Sequence, residues 1–128
     1  MRLLLDTHIL LWWLRDRLQL REEARALIAS PKVEVLVSTA SFWEIAIKFR
    51  LGKLEMSSSD AFQLASGEGF GNLSIKAEHI AQVELLPKIA GHRDPFDHLL
   101  LAQAKVEEAA LMTSDRILAR YGIRCVPA

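Results

Sequence analysis

The chain has 128 residues, of which 51% are hydrophobic and 25% charged, values that are ordinary for a soluble globular protein and that predict one domain, residues 1–128. Lys and Arg balance Asp and Glu, so a formal net charge of +0 excludes a global attraction to nucleic acid and leaves only local patches for such binding. The single cysteine, Cys125, excludes an internal disulfide, and no apolar run is long enough for a membrane span, so we expect a cytoplasmic protein without membrane contact.

The first predicted element is a short strand buried on both faces. Leu3, Leu4 and Leu5 form an uninterrupted apolar run between Arg2 and Asp6, which is typical of a strand in a parallel sheet. A helical pattern begins at once after it. Asp6 therefore lies at the carboxyl edge of the sheet, where open α/β folds bind their ligands.

Strands and helices alternate along the rest of the chain. The patterns predict strands over residues 33–38, 73–75, 110–113 and 123–126, and helices over 8–15, 21–30, 39–51, 59–67, 77–86, 95–108 and 115–121. Residues 67–71, with three glycines among five residues, are predicted to be the most flexible segment. This alternation predicts an α/β fold, a three-layer α/β/α sandwich with a central parallel sheet.

Acidic residues recur at one predicted edge of this sheet. Asp6 and Asp115 follow strands, Glu44 lies in the helix after the second strand, and Asp94 and Asp97 open a helix. Clustered carboxylates stay ionised only if a cation neutralises them, and an all-oxygen set suits Mg²⁺ or Mn²⁺. Such an ion can activate water and stabilise a phosphoryl oxygen, the chemistry of phosphodiester hydrolysis.

Several of these acids also have a purely structural interpretation. Asp94 precedes Pro95 and is predicted to cap the helix that follows. Asp97 has the position of the return arm of a capping box, and Asp115 can cap the last helix while leaving one carboxylate oxygen free. On local sequence alone, these alternatives remain open.

Glu44 has a second interpretation of its own. It can pair with Lys48 one helical turn later, an arrangement worth roughly 0.3 kcal/mol at a surface. However, its neighbours in residues 40–49 are apolar on nearly every side. We therefore expect a buried helix in which Glu44 requires a strong partner.

The acids lie within four short stretches, and these resemble the PIN domain, more closely the VapC-type toxins of bacterial toxin–antitoxin pairs. The stretches are Leu3-Leu4-Leu5-Asp6-Thr7, Ser41-Phe42-Trp43-Glu44-Ile45, Asp94-Pro95-Phe96-Asp97-His98-Leu99-Leu100 and Met112-Thr113-Ser114-Asp115. The resemblance implies a Mg²⁺- or Mn²⁺-dependent endoribonuclease. Asp6, Glu44 and Asp97 match the three core metal-coordinating acids, and Asp115 matches a fourth, more variable one.

The resemblance also implies roles for polar residues around the acids. Thr7, Ser38 and Thr113 match positions where small hydroxyl residues often orient water or a carboxylate. Independently of the resemblance, Lys48 and Arg50 belong to a local basic cluster after the third helix and, with His98, are candidate phosphate contacts. His98 and Ser114 stand where many relatives carry arginine, so this chain lacks two fixed positive charges near the site.

The implied partners are an RNA substrate, a VapB-type antitoxin and a second copy of the chain in a homodimer. Two alternatives remain. One is a phosphohydrolase or phosphotransferase with Asp6 as nucleophile, although such enzymes usually carry a second Asp where this chain has His8. The other is a non-catalytic domain that binds RNA or a partner without cutting.

Overall fold

A five-stranded parallel sheet forms the centre of the computed structural model, which describes residues 1–128. The strands are β1 (Arg2–Leu5), β2 (Glu34–Ser38), β3 (Gly71–Leu73), β4 (Ala110–Thr113) and β5 (Cys125–Pro127). Their order is β3-β2-β1-β4-β5, and every neighbouring pair is parallel. The direction of the order reverses between β1 and β4, so a crevice opens at the carboxyl ends of these two strands.

The position of β1 in the middle of the sheet explains why its sequence is apolar without interruption. Leu3 and Leu5 pack into one hydrophobic core, and Leu4 packs into a second core on the other face of the sheet. All three side chains are fully buried. A strand covered on both faces requires apolar residues at every position, as expected for a parallel sheet.

Helices cover both faces of the sheet. They are α1 (Thr7–Leu14), α2 (Glu22–Ala29), α3 (Thr39–Arg50), α4 (Ser58–Gly67), α5 (Ala77–Val83), α6 (Pro95–Val106) and a final 3₁₀ helix (Arg116–Tyr121). Helices α1 to α4 contribute to the first core, whereas α6 and the 3₁₀ helix contribute to the second, and α5 packs on α6. The predicted three-layer α/β/α sandwich is confirmed. None of these helices combines the length and apolar character needed to traverse a bilayer.

The connection into β3 differs from the sequence prediction. The strand covers residues 71–73 rather than 73–75, because Gly71 pairs with Leu36. A Cβ atom at Gly71 would lie 3.0 Å from the Leu36 side chain, so the absence of a side chain allows this close pairing. Gly67 ends α4, and Gly69, with a φ of 81°, lies in the short connection that leads to β3.

The expectation that helix α3 is buried on all sides is wrong. Ile45 is fully buried in the first core, but Trp43, Ile47 and Phe49 are exposed, Trp43 by 58%. The apolar composition indicated burial, yet the rest of the chain leaves these side chains largely open, although Trp43 meets the ring of Phe96 edge to face with centroids 5.1 Å apart. An apolar face that the chain itself leaves open is typical of an interaction surface.

Candidate metal centre

The four predicted metal-coordinating acids line one cleft of about 580 Å³ at the crevice between β1 and β4. Asp6 follows β1, Glu44 lies in α3, Asp97 lies in the first turn of α6, and Asp115 follows β4. Asp6 is buried, Glu44 and Asp97 are partly buried, and Asp115 is exposed. The fold thus brings together carboxylates that are far apart in the sequence.

Asp6 is held in place from both sides of its carboxylate. Its backbone N–H donates to the carbonyl of Met112 in β4 at 2.9 Å. Its Oδ1 accepts from the Thr7 N–H at 2.8 Å, which caps α1, and its Oδ2 accepts from the Thr113 hydroxyl at 2.7 Å. His8 Nδ1 lies 3.5 Å from the same Oδ2.

The electrostatic environment of Asp6 disfavours its ionised form. Burial raises the pKa of this carboxyl, and the negative charge of Glu44 raises it further. His8 and the hydrogen bonds from Thr113 and Thr7 each lower the pKa by less than burial raises it, but by more than Glu44 raises it. A cation in the cleft would therefore stabilise the Asp6 carboxylate, whose negative charge the protein alone compensates only in part.

Asp97 shows the same behaviour. Burial raises its pKa from 3.8 to about 6, and the charges of Asp6 and Asp94 act in the same direction, whereas the hydrogen bond from His92 lowers it. His92 Nε2 lies 3.0 Å from Asp97 Oδ2. One oxygen of Asp97, one oxygen of Asp115 and a ring nitrogen of His92 lie within 4.8 Å of one another.

Like Asp6, two further acids cap helices, as their local sequence predicts. Asp94 accepts from the N–H groups of Phe96 at 2.9 Å and Asp97 at 3.4 Å at the start of α6, and it lines the cleft as well. Asp115 Oδ1 accepts from the Ile117 N–H at 3.1 Å. Capping occupies one oxygen of Asp115 and leaves the other available to a ligand.

Glu44 finds its partner within its own helix. Its Oε2 lies 2.9 Å from Lys48 Nζ, and its side chain is only 14% exposed. The i, i+4 pair that the sequence offered as an alternative is therefore present. Lys48 lines the same cleft.

The three predicted supporting hydroxyls behave differently from one another. Thr113 contacts a carboxylate, and its oxygen also accepts from the Asp115 N–H at 3.0 Å. The Thr7 hydroxyl instead donates to Ser41 at 2.9 Å, and Ser38 caps α3 by accepting from the Ala40 N–H at 3.0 Å. These two hydroxyls are engaged inside the protein and contact none of the acids.

Of the three candidate phosphate contacts, only Lys48 lines the cleft. Arg50 lies two residues further along α3 and so points about 200° away around the helix. His98 follows Asp97 directly and turns towards Tyr121, whose hydroxyl lies 3.2 Å from its Nε2. Arg15 and Arg17, which follow α1, also line the cleft.

Sequence reasoning missed three residues near the acids: His8, His92 and Tyr121. His8 Nε2 lies 2.6 Å from the Ser114 hydroxyl, above the carboxylate of Asp6. Tyr121 and His92 contact each other at 2.5 Å. None of these residues shows metal-ligand spacing in the sequence. Only the position of His92, in the loop five residues before Asp97, could have drawn attention to it.

The donor set of the cleft suits a hard divalent cation. It consists of carboxylate oxygens, with no thiolate and no pair of histidines at ligand spacing, which favours Mg²⁺ or Mn²⁺ over zinc. The raised pKa values of Asp6 and Asp97 are consistent with a site that gains stability from a bound positive charge. The residues present therefore fit the ion that the sequence predicts.

The fold and the site define an α/β protein with a carboxylate cluster at the carboxyl edge of a parallel sheet. The family model described as the PIN domain matches residues 3–124. The chain therefore belongs to the PIN domain family. No curated protein sequence matches it.

Solved structures show the same fold at low sequence identity. The chain is similar to VapBC2 from Rickettsia felis, solved bound to a DNA fragment from its promoter, with a TM-score of 0.72 and 15% identity over 99% of this chain and 98% of that one. It is also similar to VapBC-1 from nontypeable Haemophilus influenzae, with a TM-score of 0.71 and 16% identity over 99% and 98% of the two chains. The PIN domain endonuclease Utp24 gives a TM-score of 0.56 and 17% identity over 99% and 84%.

Proposed function

We propose that the protein is a Mg²⁺- or Mn²⁺-dependent endoribonuclease and the toxin of a VapBC-type toxin–antitoxin pair. The observation that carries this proposal is the convergence of Asp6, Glu44, Asp97 and Asp115 in one cleft. Membership of the PIN domain family supports a nuclease. The structures of VapBC complexes and of a PIN endonuclease, which share the fold, support the same class of protein.

The four acids are the proposed ligands, and hydrogen bonds within the protein orient two of them, Asp6 and Asp97. A divalent ion bound there would lower the pKa of water and stabilise negative charge on the phosphoryl oxygens. Thr113 and the Thr7 N–H fix the orientation of Asp6, while His92 binds only Oδ2 of Asp97 and leaves Oδ1 free. Each carboxylate thus keeps lone pairs that point to no protein donor.

Basic residues on the wall of the cleft would hold the RNA backbone. Arg15, Arg17 and Lys48 line the cleft beside the acids, although the whole chain has a formal net charge of +0. Phosphate contacts of this kind position a nucleic acid without specifying its sequence. We therefore assign backbone binding to these three residues.

The exposed apolar face supports protein partners. Trp43 and Ile47 of α3 and Phe62 of α4 are exposed, and Phe62 packs against Phe42 of α3 with ring centroids 5.4 Å apart. Large apolar side chains left exposed on two helices that pack together favour a protein interface. We propose that a VapB-type antitoxin and a second copy of the chain use this part of the molecule, in the cytoplasm where the RNA substrate is present.

An RNA cleavage assay tests the proposed activity. Purified protein is incubated with structured RNA and Mn²⁺ or Mg²⁺, with EDTA as one control and Asp6→Asn as another. A matched variant, Asp16→Asn, changes an exposed acid outside the cleft. We expect cleavage by the wild type and Asp16→Asn, and loss of cleavage with EDTA or in Asp6→Asn. Cleavage that survives EDTA and Asp6→Asn would contradict the proposal.

Two further observations separate this proposal from its alternatives. A phosphoenzyme trapped on Asp6 would favour a phosphotransferase, and RNA that is retained but never cut would favour a binding domain. As a toxin, the protein should slow growth when expressed alone, and a small protein encoded beside it should relieve this effect. Normal growth at high levels of folded protein would contradict the toxin assignment.

A further inference from the structure

A chain of hydrogen bonds connects the final 3₁₀ helix to the candidate metal centre. Tyr121, at the end of that helix, has its hydroxyl 3.2 Å from His98 Nε2 and 2.5 Å from His92 Nδ1. The other ring nitrogen of His92, Nε2, lies 3.0 Å from Oδ2 of Asp97. Four side chains from the 3₁₀ helix, α6 and the loop before α6 are thus linked in series.

With neutral imidazole rings, only one arrangement of protons satisfies all three contacts. Because the carboxylate of Asp97 can only accept, His92 Nε2 must carry the proton that it donates. His92 Nδ1 is then an acceptor and receives the proton of the Tyr121 hydroxyl. The Tyr121 oxygen in turn accepts from the Nε2–H of His98. Tyr121 therefore selects the tautomer of His92 that can bind Asp97.

The packing of these residues restricts their movement. The His92 side chain is 9% exposed, and Tyr121 is buried. The His92 ring meets the rings of His98 and Tyr121 edge to face, with centroids 5.1 and 5.4 Å apart. Gly91, with a φ of 80°, supplies the backbone turn that precedes His92. The imidazole is therefore held by its surroundings rather than by its bond to Asp97 alone.

We propose that His92 and Tyr121 are positioning residues that fix Oδ2 of Asp97, direct its Oδ1 into the cleft, and thereby set the affinity of the site for its divalent cation. This inference rests on the proposed function, because it assumes that Asp97 is a ligand. Groups that hydrogen-bond to metal ligands typically change metal affinity or activity about 10- to 100-fold when they are removed.

A direct ligand role for His92 is the competing interpretation, since its ring nitrogen lies within 4.8 Å of oxygens of Asp97 and Asp115. Both ring nitrogens are already engaged, however, one by Tyr121 and one by Asp97. Direct binding of a cation through Nε2 would break the bond to Asp97. The geometry therefore favours an indirect role.

Mn²⁺ binding, measured by electron paramagnetic resonance on the purified full chain without RNA, tests the proposal. In Tyr121→Phe the ring remains and only the hydroxyl is lost; we expect the Kd for Mn²⁺ to rise about 3- to 10-fold. In His92→Leu we expect a rise of about 10- to 100-fold. His92→Gln keeps an amide donor for Asp97 and should recover part of the loss. Circular dichroism and the melting temperature establish that each variant is folded.

His79 provides a matched control at the opposite end of the sheet. This buried histidine has its Nε2 2.8 Å from Glu107 Oε2, close to Arg2 at the start of β1, so it forms the same kind of pair away from the cleft. His79→Gln should lower the melting temperature and leave the Mn²⁺ Kd unchanged. An equal loss of Mn²⁺ affinity in His79→Gln would show that the effect is general destabilisation and would overturn the proposal.

The remaining outcomes separate this proposal from the proposed function. If Asp6→Asn abolishes Mn²⁺ binding while His92→Leu and Tyr121→Phe bind normally, the metal centre stands and the positioning role is wrong. If the wild type binds no Mn²⁺, both are wrong. Electron spin echo modulation from a directly bound ¹⁴N would identify His92 as a ligand and would also overturn the positioning role.

Discussion

Asp97→Asn should make the metal-free protein more stable at neutral pH. In the folded protein the pKa of Asp97 is raised from 3.8 to about 6, chiefly by burial. A folded pKa above the unfolded one means that the folded state holds more protons between about pH 4 and pH 6. Stability therefore falls as the pH rises through this window and stays lower above it. Asparagine removes the charge that causes the loss.

The size of the effect follows from the rise in pKa. A change from 3.8 to about 6 corresponds to about 3 kcal/mol at 1.36 kcal/mol per pKa unit. This is an upper bound, because Asp97 faces a cleft that water enters and that screens its charge. We expect a gain of about 1 to 2 kcal/mol in the free energy of unfolding, or about 4 to 8 °C in melting temperature.

The assay is urea and thermal denaturation of the wild type and Asp97→Asn in EDTA at about pH 4 and about pH 7, on either side of the window in which Asp97 titrates. The gain should be present at the higher pH and almost absent at the lower one. Added Mn²⁺ should stabilise the wild type at neutral pH and have little effect on the variant, which lacks one ligand. Asp16→Asn, at an exposed ion pair, should stay within about 0.5 kcal/mol of the wild type. Equal stabilities at neutral pH, or a larger gain in acid, would refute the reasoning.

Three other substitutions test separate parts of the structure. Thr113→Val removes the hydroxyl that orients the carboxylate after β1 and should reduce RNA cleavage about 10- to 100-fold, whereas Thr113→Ser should retain it; equal activities would contradict this role. Leu4→Ala, at a fully buried position, should cost about 2 to 5 kcal/mol in urea denaturation, whereas Leu18→Ala, at a site 96% exposed, should cost almost nothing. Arg15→Ala should weaken RNA binding and reduce the slope of log K against log salt by about 1, the amount expected for one lost phosphate contact. Arg50→Ala, outside the cleft, should change neither the affinity nor the slope.

The sequence predicted the parts of the site that follow from strand order and helix ends. Asp6 and Asp115 follow strands of a parallel sheet, so their convergence at one edge could be expected from the alternation of strands and helices alone. Asp94 caps α6 because Asp is a favoured N-cap residue and the proline that follows it is favoured at the first helical position. These predictions depend on helix-capping residues and on the alternation of strands and helices, and both can be read from the sequence.

Other features depend on contacts between residues that are far apart in the sequence and that no periodic pattern of residues indicates. The contact between His92 and Tyr121 joins a loop to a helix 29 residues away, and neither residue belongs to a repeating pattern. The exposed side of α3 could not be distinguished from a buried one, because apolar composition is the same whether this chain or a partner covers the face. The direction of the Thr7 hydroxyl depends on the nearby Ser41, which the fold brings into contact.

The most direct test of the shared metal site is a crystal structure of the protein grown with Mn²⁺ and recorded at a wavelength where manganese scatters anomalously. We expect one or more anomalous peaks in the cleft, about 2.0 to 2.3 Å from carboxylate oxygens of Asp6 and Asp97. A cleft without any peak at saturating Mn²⁺, or a peak held only by residues elsewhere in the protein, would contradict the claim that these acids share a divalent cation.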